Sequence, residues 1–273
     1  MLKYEIMEGK KLKEDNMIKN SHCERSSRVD FSLPEKLDCR LAGRHKTAFT
    51  LAEVLITLGI IGIVAAMTLP ALIQHYKKVE YSSRLKKFYS SMNQAIRLSE
   101  VTNGLPSEWN KAPMLKDDDG NDDLDASGEF TYNFFIKYLA PYIKYIKIEQ
   151  GKNQEGTLDN NDLKIKSSTK VYLADGTTVL LWNGICIDFF VDVNGDKKPN
   201  QFGRDLHNFL LCFNESSNMN YCGNKDRFFC SFGSETSVSR EHLLNDCKAN
   251  SYHCSGLLMR DGWEFKKDYP YKL

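Results

Sequence analysis

From Ala48 to Ile73 the chain runs for 26 residues with a single charge, Glu53. Wound as a helix, a run of that length spans more than the ~30 Å of a bilayer's hydrocarbon core. No other feature restricts the fold so strongly, because such a segment must cross a membrane or be buried by other helices. It is too long for a cleaved secretory signal, whose apolar core holds about 7–15 residues. The difficulty is Glu53. A carboxylate held in hydrocarbon costs roughly 2.5–3.5 kcal/mol on insertion scales, so a plain signal anchor leaves it without a reason. A partner that neutralises the charge on assembly supplies one.

The flanks orient the run. Residues 1–48 carry eleven Lys and Arg against eight Asp and Glu, although the whole chain of 273 residues is nearly neutral at +1. With Arg44, His45 and Lys46 beside the run, the positive-inside rule places the N-terminus in the cytoplasm and the rest of the chain across the membrane. Near-neutrality gives no electrostatic footprint for general nucleic-acid binding.

The segment AFTLAEVLITLGIIGIVAAMTLP (residues 48–70) resembles the N-terminal segment of type IV pilins and of the pseudopilins of type II secretion. The resemblance implies cleavage by a prepilin peptidase between Ala48 and Phe49, followed by N-methylation of Phe49. Glu53 then becomes the fifth residue of the processed chain, where the family carries its glutamate. Pro70 falls where many members kink the helix, and Gly59 and Gly62 match small positions in the span. In a filament the first helices pack side by side, and the glutamate of one subunit meets the new terminal ammonium of a neighbour. A paired buried charge is tolerable and fixes register. Two features depart from the family. Ala48 stands where it prefers glycine, and a 48-residue leader is long for it, with Met1, Met7 and Met17 as alternative starts. Partners implied are other pilin or pseudopilin subunits, the peptidase, and an inner-membrane assembly platform. Only a DNA-uptake filament would bring the chain to nucleic acid.

Beyond the span, Leu85, Phe88, Tyr89, Met92, Ala95 and Ile96 recur at steps of three and four, the signature of an amphipathic helix. Asn103-Gly104 and Pro106 stop it. The pattern predicts one helix from about 50 to 102, bent at Pro70, because proline removes a backbone hydrogen bond and crowds the preceding turn. The expected organisation is a leader at 1–48, a transmembrane or filament-core helix at 49–76, its amphipathic continuation at 77–104, and an extracytoplasmic head at 105–273. In the head, KDDDGNDDLDASGE (116–129) reads as a solvated acidic loop. FTYNFFIKYLAPYIKYIKI (130–148) reads as a helix followed by an apolar connector broken near Pro141, and 151–162 as a loop. KVYLADGTTVLLWNG (170–184) reads as a hairpin around Asp175-Gly176. Strands follow at 185–193 and 207–213, then short helices near 239–248 and 252–260, and GWEF as a last extended piece. The expected fold class is α+β: a long N-terminal helix kinked at Pro70 and a small antiparallel sheet of about four strands packed on it.

Cys23 and Cys39 lie in the leader. Cys186, Cys212, Cys222, Cys230, Cys247 and Cys254 remain, an even count that suggests disulfides in an oxidising space. Six cysteines allow 15 pairings. Short spacing makes Cys222–Cys230 and Cys247–Cys254 plausible, and adjacent strands make Cys186–Cys212 plausible. Zinc held by His242, Cys247, His253 and Cys254 is the weaker reading, since no C-x-x-C pair supports it.

In DVNGDKKPNQFGRD (192–205), Asp192, Asn194 and Asp196 alternate like the first three ligands of a calcium loop. A carbonyl near Lys198, with Asn200 or Asp205, completes a shell of hard oxygens. The plain alternative is a polar turn between strands. No glutamate closes the loop, so it is not an EF-hand. No G-x-S-x-G, H-E-x-x-H or phosphate-binding glycine loop occurs. A membrane-anchored extracytoplasmic enzyme or binding protein is therefore the alternative to a filament subunit, and the expectation is a structural protein.

Overall fold

The computed structural model describes residues 49–120, 123–150, 155–156, 165–166, 169–195, 197–234 and 238–273. The leader with Cys23, Cys39 and Ala48, most of the expected loop at 151–162, and Asp196 lie outside the described residues. The first element is α1, Leu51–Asn103, continuous through Pro70. Glu53 sits in its first turn, where the partial positive charge of the helix N-terminus favours a carboxylate. The hydroxyls of Thr57 and Thr68 donate back to the carbonyls of Val54 and Val64, so neither needs a partner from outside the helix.

Three further helix-forming segments carry their own caps. The Asp123 side chain accepts from Ala126 N at 2.9 Å and starts α2, Leu124–Tyr138. Asn214 does the same for α3, Glu215–Cys222, and Ser239 for α4, Arg240–Ala249. The last helix is α5, Cys254–Arg260. The strands are β1 (Tyr145–Glu149), β2 (Glu155–Gly156), β3 (Ile165–Lys166), β4 (Thr169–Leu173), β5 (Thr178–Asn183), β6 (Ile187–Asp192), β7 (Leu206–Leu211) and β8 (Phe229–Ser231). All but β2 and β3, which pair with each other, form one antiparallel six-stranded sheet in the order β1-β4-β5-β6-β7-β8.

Alternation along the strands gives the sheet two faces. Val179, Leu181, Ile187, Phe189, Val191, Phe209, Leu211 and Phe229 join Leu85, Phe88, Met92 and Ile96 of α1 in the main core. Phe88 meets Phe209 edge-on with centroids 5.1 Å apart, and Tyr89 stacks on Phe229 at 5.7 Å. On the opposite face, Leu180, Phe190, Phe202 and Leu206 form a second cluster, and the sulfurs of Cys186, Cys212, Cys222 and Cys230 gather around Leu210 in a third.

The α+β class stands, and four details of the expectation are corrected. The acidic stretch is not loop throughout, because the Asp123 cap turns its last residues into α2, and carboxylates are tolerated at a helix start. The connector after α2 becomes β1, an edge strand paired only with β4, after Pro141 has confined Ala140–Tyr142 to a single 3₁₀ turn. The sheet has six strands because β1 and the three-residue β8 extend it at both ends. GWEF is a turn: Trp263 has φ 69° and is buried in the main core, tilted against Tyr89 at 5.2 Å.

Candidate functional site

Two regions of the described chain hold candidate sites, the start of α1 and the sheet end where α1 meets the head. At the start, Phe49 is 86 % exposed and precedes α1, Glu53 is exposed, and Pro70 lies within the helix. From Leu51 to Glu80 no α1 residue is buried, although the segment is the one described helix long and apolar enough to cross a membrane. Burial begins at Tyr81 and recurs at Leu85, Phe88, Met92, Ala95, Ile96 and Ser99.

Where burial begins, α1 is fastened to two turns of the sheet. Arg84 Nη1 donates to the Val193 carbonyl at 2.7 Å while its other nitrogen pairs with Glu80 at 2.8 Å. Lys87 pairs with Asp175 at 2.9 Å. Burial alone would raise Asp175, but Lys87 and the Thr177 N–H outweigh it and hold the carboxyl below its ordinary range. The Asn194 amide bridges the two parts, donating to the Tyr81 hydroxyl and to Asp205 Oδ2, each at 3.0 Å. Gly195 is needed here: its φ is +72°, and a Cβ would come within 2.9 Å of the Gly176 carbonyl oxygen.

The loop expected to hold calcium is organised around Asp205. Its carboxylate, fully buried, accepts from Asn194 Nδ2, from Asn200 N at 2.9 Å and from Gln201 N at 2.7 Å. Asp192 Oδ1 accepts from Asn194 N at 3.1 Å, and the Asn200 amide, with its nitrogen turned inward, donates to Asp192 Oδ2 at 3.1 Å. Asp192, Asn194, Asn200 and Asp205 are thus brought together, and Lys198, near which a backbone carbonyl is the expected ligand, is an exposed residue of the same loop. Asn194 Oδ1 is buried without a hydrogen-bond partner among the described residues. No cluster of three His, Cys, Asp or Glu with metal-binding geometry occurs among the described residues.

The six cysteines form three disulfides, Cys186–Cys212, Cys222–Cys230 and Cys247–Cys254, with Cα separations of 4.4, 5.5 and 4.5 Å. The first joins the entry of β6 to the exit of β7, the second ties α3 to β8, and the third ties α4 to α5. Cys247 and Cys254 are therefore bonded to each other and not offered to zinc, while His242 faces Asp246 at 3.2 Å.

Sequence reasoning missed a polar group inside the head. Asp188 of β6 is 7 % exposed, and its Oδ1 accepts from Asn208 Nδ2 at 3.2 Å and lies 3.4 Å from the Tyr252 hydroxyl. Burial pushes the carboxyl up to about 7, against the hydrogen bonds and the Lys111 charge that oppose the rise. Burial also pushes Lys111 down to about 8, and its Nζ donates to the carbonyls of Ala112 and Gly184. The visible signal was a carboxylate near the start of the strand IDFFVD, just before the apolar run Phe189–Val191.

No curated protein and no solved structure matches the chain. Two family models do: a prokaryotic N-terminal methylation motif matches residues 43–69, characteristic of type IV pilins and pseudopilins, and one described as a family of unknown function, DUF6613, matches residues 71–273. With that model spanning more than half of its length, the chain belongs to the DUF6613 family, and it bears a prepilin-type methylation motif on its N-terminal helix.

Proposed function

We propose that the chain is a minor structural subunit of a type IV pilus or a type II secretion-like pseudopilus, and not an enzyme. The observation that carries this is the junction of a methylation motif with an apolar half-helix none of whose residues is buried, continued by a half that the head buries. Exposed apolar surface of this extent needs lipid or neighbouring subunits to cover it. In this reading a prepilin peptidase removes residues 1–48 and methylates Phe49. The subunit waits in the bacterial inner membrane, N-terminus cytoplasmic and head outside, and the assembly platform stacks it on other subunits. Three disulfides suit an oxidising extracytoplasmic space. Mass spectrometry of the purified protein tests the reading. The expected N-terminus is N-methyl-Phe49, and a mature chain that retains residues before it contradicts the reading. Glu53→Leu should insert normally yet enter filaments poorly, and filament yields equal to wild type would refute the charge pairing.

Calcium belongs to the same proposal as a ligand of the 192–205 loop. Asp192 and the unpartnered Asn194 Oδ1 are the donors that support it; Asp196 is the third expected from the sequence, and the ion would offset their clustered charge. Asp205, already holding three N–H groups, keeps the loop in shape instead. A hundredfold excess of calcium over its Kd should stabilise the head by roughly 2.7 kcal/mol. Asp192→Ala with Asp196→Ala should erase that gain, and melting unchanged between calcium and EDTA leaves the loop a plain turn.

A further inference from the structure

The outer face of the sheet holds a pocket of about 290 Å³ in which four aromatic residues, Trp182, Tyr221, Phe232 and Tyr252, share the wall with Met114, Ile185 and Leu210. Strand register builds its floor. Trp182 of β5 lies opposite Asp188 of β6, which lies opposite Leu210 of β7. Phe232 and Tyr252 meet edge-on with centroids 4.6 Å apart and close one corner, and the Cys186–Cys212 disulfide borders another. Gly184 keeps the floor open, because a Cβ there would stand 2.9 Å from both Asp188 Oδ2 and the Trp182 ring.

Asp188 is the odd member of this apolar surround. Its Oδ1 is engaged by Asn208 and Tyr252, but Oδ2 has no hydrogen-bond donor among the described residues. The nearest cation acting on it, Lys111, is tied to the carbonyls of Ala112 and Gly184 and makes no ion pair with it. Aromatic faces and a carboxylate both present negative potential, and together they select positive charge. We propose that this pocket binds a small organic cation, an ammonium group on a short apolar body, with Asp188 as counter-ion and Trp182 as a cation–π face. The volume, near the lower end for small-molecule sites, suits a ligand of choline's size and not a macromolecule. A bound ammonium would offset the cost of burying the carboxylate.

The test is isothermal titration of the full chain in detergent micelles with choline, and with dimethylbutanol, in which carbon replaces the charged nitrogen. Choline should bind saturably, and the neutral isostere about tenfold more weakly or worse. Asp188→Asn should cost choline about tenfold or more while leaving unfolding cooperative. Should that variant fail to fold, the half-exposed Trp182→Ala and the isostere comparison on wild-type protein carry the decision. No saturable choline heat on folded wild type overturns the proposal. So do equal affinities for choline and its isostere, or undiminished choline affinity in Trp182→Ala.

Discussion

Within the first half of α1, Leu55, Ile56, Ile60, Ile61, Ile63 and Met67 are each 58–76 % exposed; within the second half, Leu85, Phe88 and Met92 are at most 4 % exposed. Both halves are helical and neither contains a break, so secondary structure does not distinguish them. Pattern does. The first half is apolar around its whole circumference, and a helix of that kind is covered on every side by lipid or by other helices. The second half confines its apolar residues to one stripe and keeps Lys86, Lys87, Asn93 and Arg97 off it, so the head covers that one side. One continuous helix thus serves two surroundings, and the change falls at Tyr81–Lys87, where Tyr81, Arg84 and Lys87 grip the sheet turns.

If the division is real, substitutions in the two halves must differ in effect on the head. Phe88→Ala removes a ring that packs against both Phe209 and Phe229 and should destabilise the head by about 3–5 kcal/mol. Denaturant unfolding of the full chain in detergent measures this.

The response to pH sharpens the contrast, because it should arise in the head alone. In the folded head burial raises Asp188 to about 7, so the head keeps a proton that the unfolded chain has released. That contribution is full below about pH 4 and is lost as pH rises through about 7. His207 acts the other way: burial lowers it to about 4, and stability is lost as pH falls from about 6.5 toward that value. The difference between wild type and Asp188→Asn isolates the first effect. Relative to the variant, wild type should lose up to about 4 kcal/mol between pH 4 and pH 7. A flat difference would remove Asp188 as the cause.

Next in size are the disulfides, which hold only the head. Opening Cys222–Cys230 by replacing both cysteines with serine should cost about 2–4 kcal/mol and free α3 from β8. Thermal unfolding with and without reductant measures the combined effect of all three bridges.

The long helix was legible because its first half is an unbroken apolar run and its second half a three-and-four periodicity, and both patterns survive without knowledge of tertiary contacts. The hairpin at Asp175-Gly176 and strands β6 and β7 were legible for the same reason. β8 was not, since three residues, Phe229–Ser231, carry too short a pattern and are strand only because β7 offers an edge. β1 was read as connector because its residues are exposed or half-buried, leaving little alternation to see. GWEF looked extended because nothing local announces the positive φ of Trp263, which packing imposes. At the site, Phe49 and Glu53 belong to a contiguous motif, while the grip of Arg84 on Val193 spans 109 positions. The Asp188–Asn208–Tyr252 group likewise depends on strand register and on the arrival of Tyr252 from a distant turn.

Small effects bear on the division as much as large ones. Leu58→Ala, in the exposed half, should change head stability by less than about 0.5 kcal/mol. A loss approaching that of Phe88→Ala would mean that the first half packs on the head after all.

The most direct test removes the first half entirely. A chain beginning at Lys77 keeps Tyr81, Arg84, Lys87 and the whole buried stripe, and loses the exposed apolar run with Glu53. Its unfolding free energy, measured with disulfides formed and compared with the full chain in detergent, should agree within about 0.5 kcal/mol. It should also remain soluble without detergent. A truncated chain that fails to fold, or that is less stable by 2 kcal/mol or more (about 30-fold in the folding equilibrium), would contradict the account that α1 is divided between assembly and head.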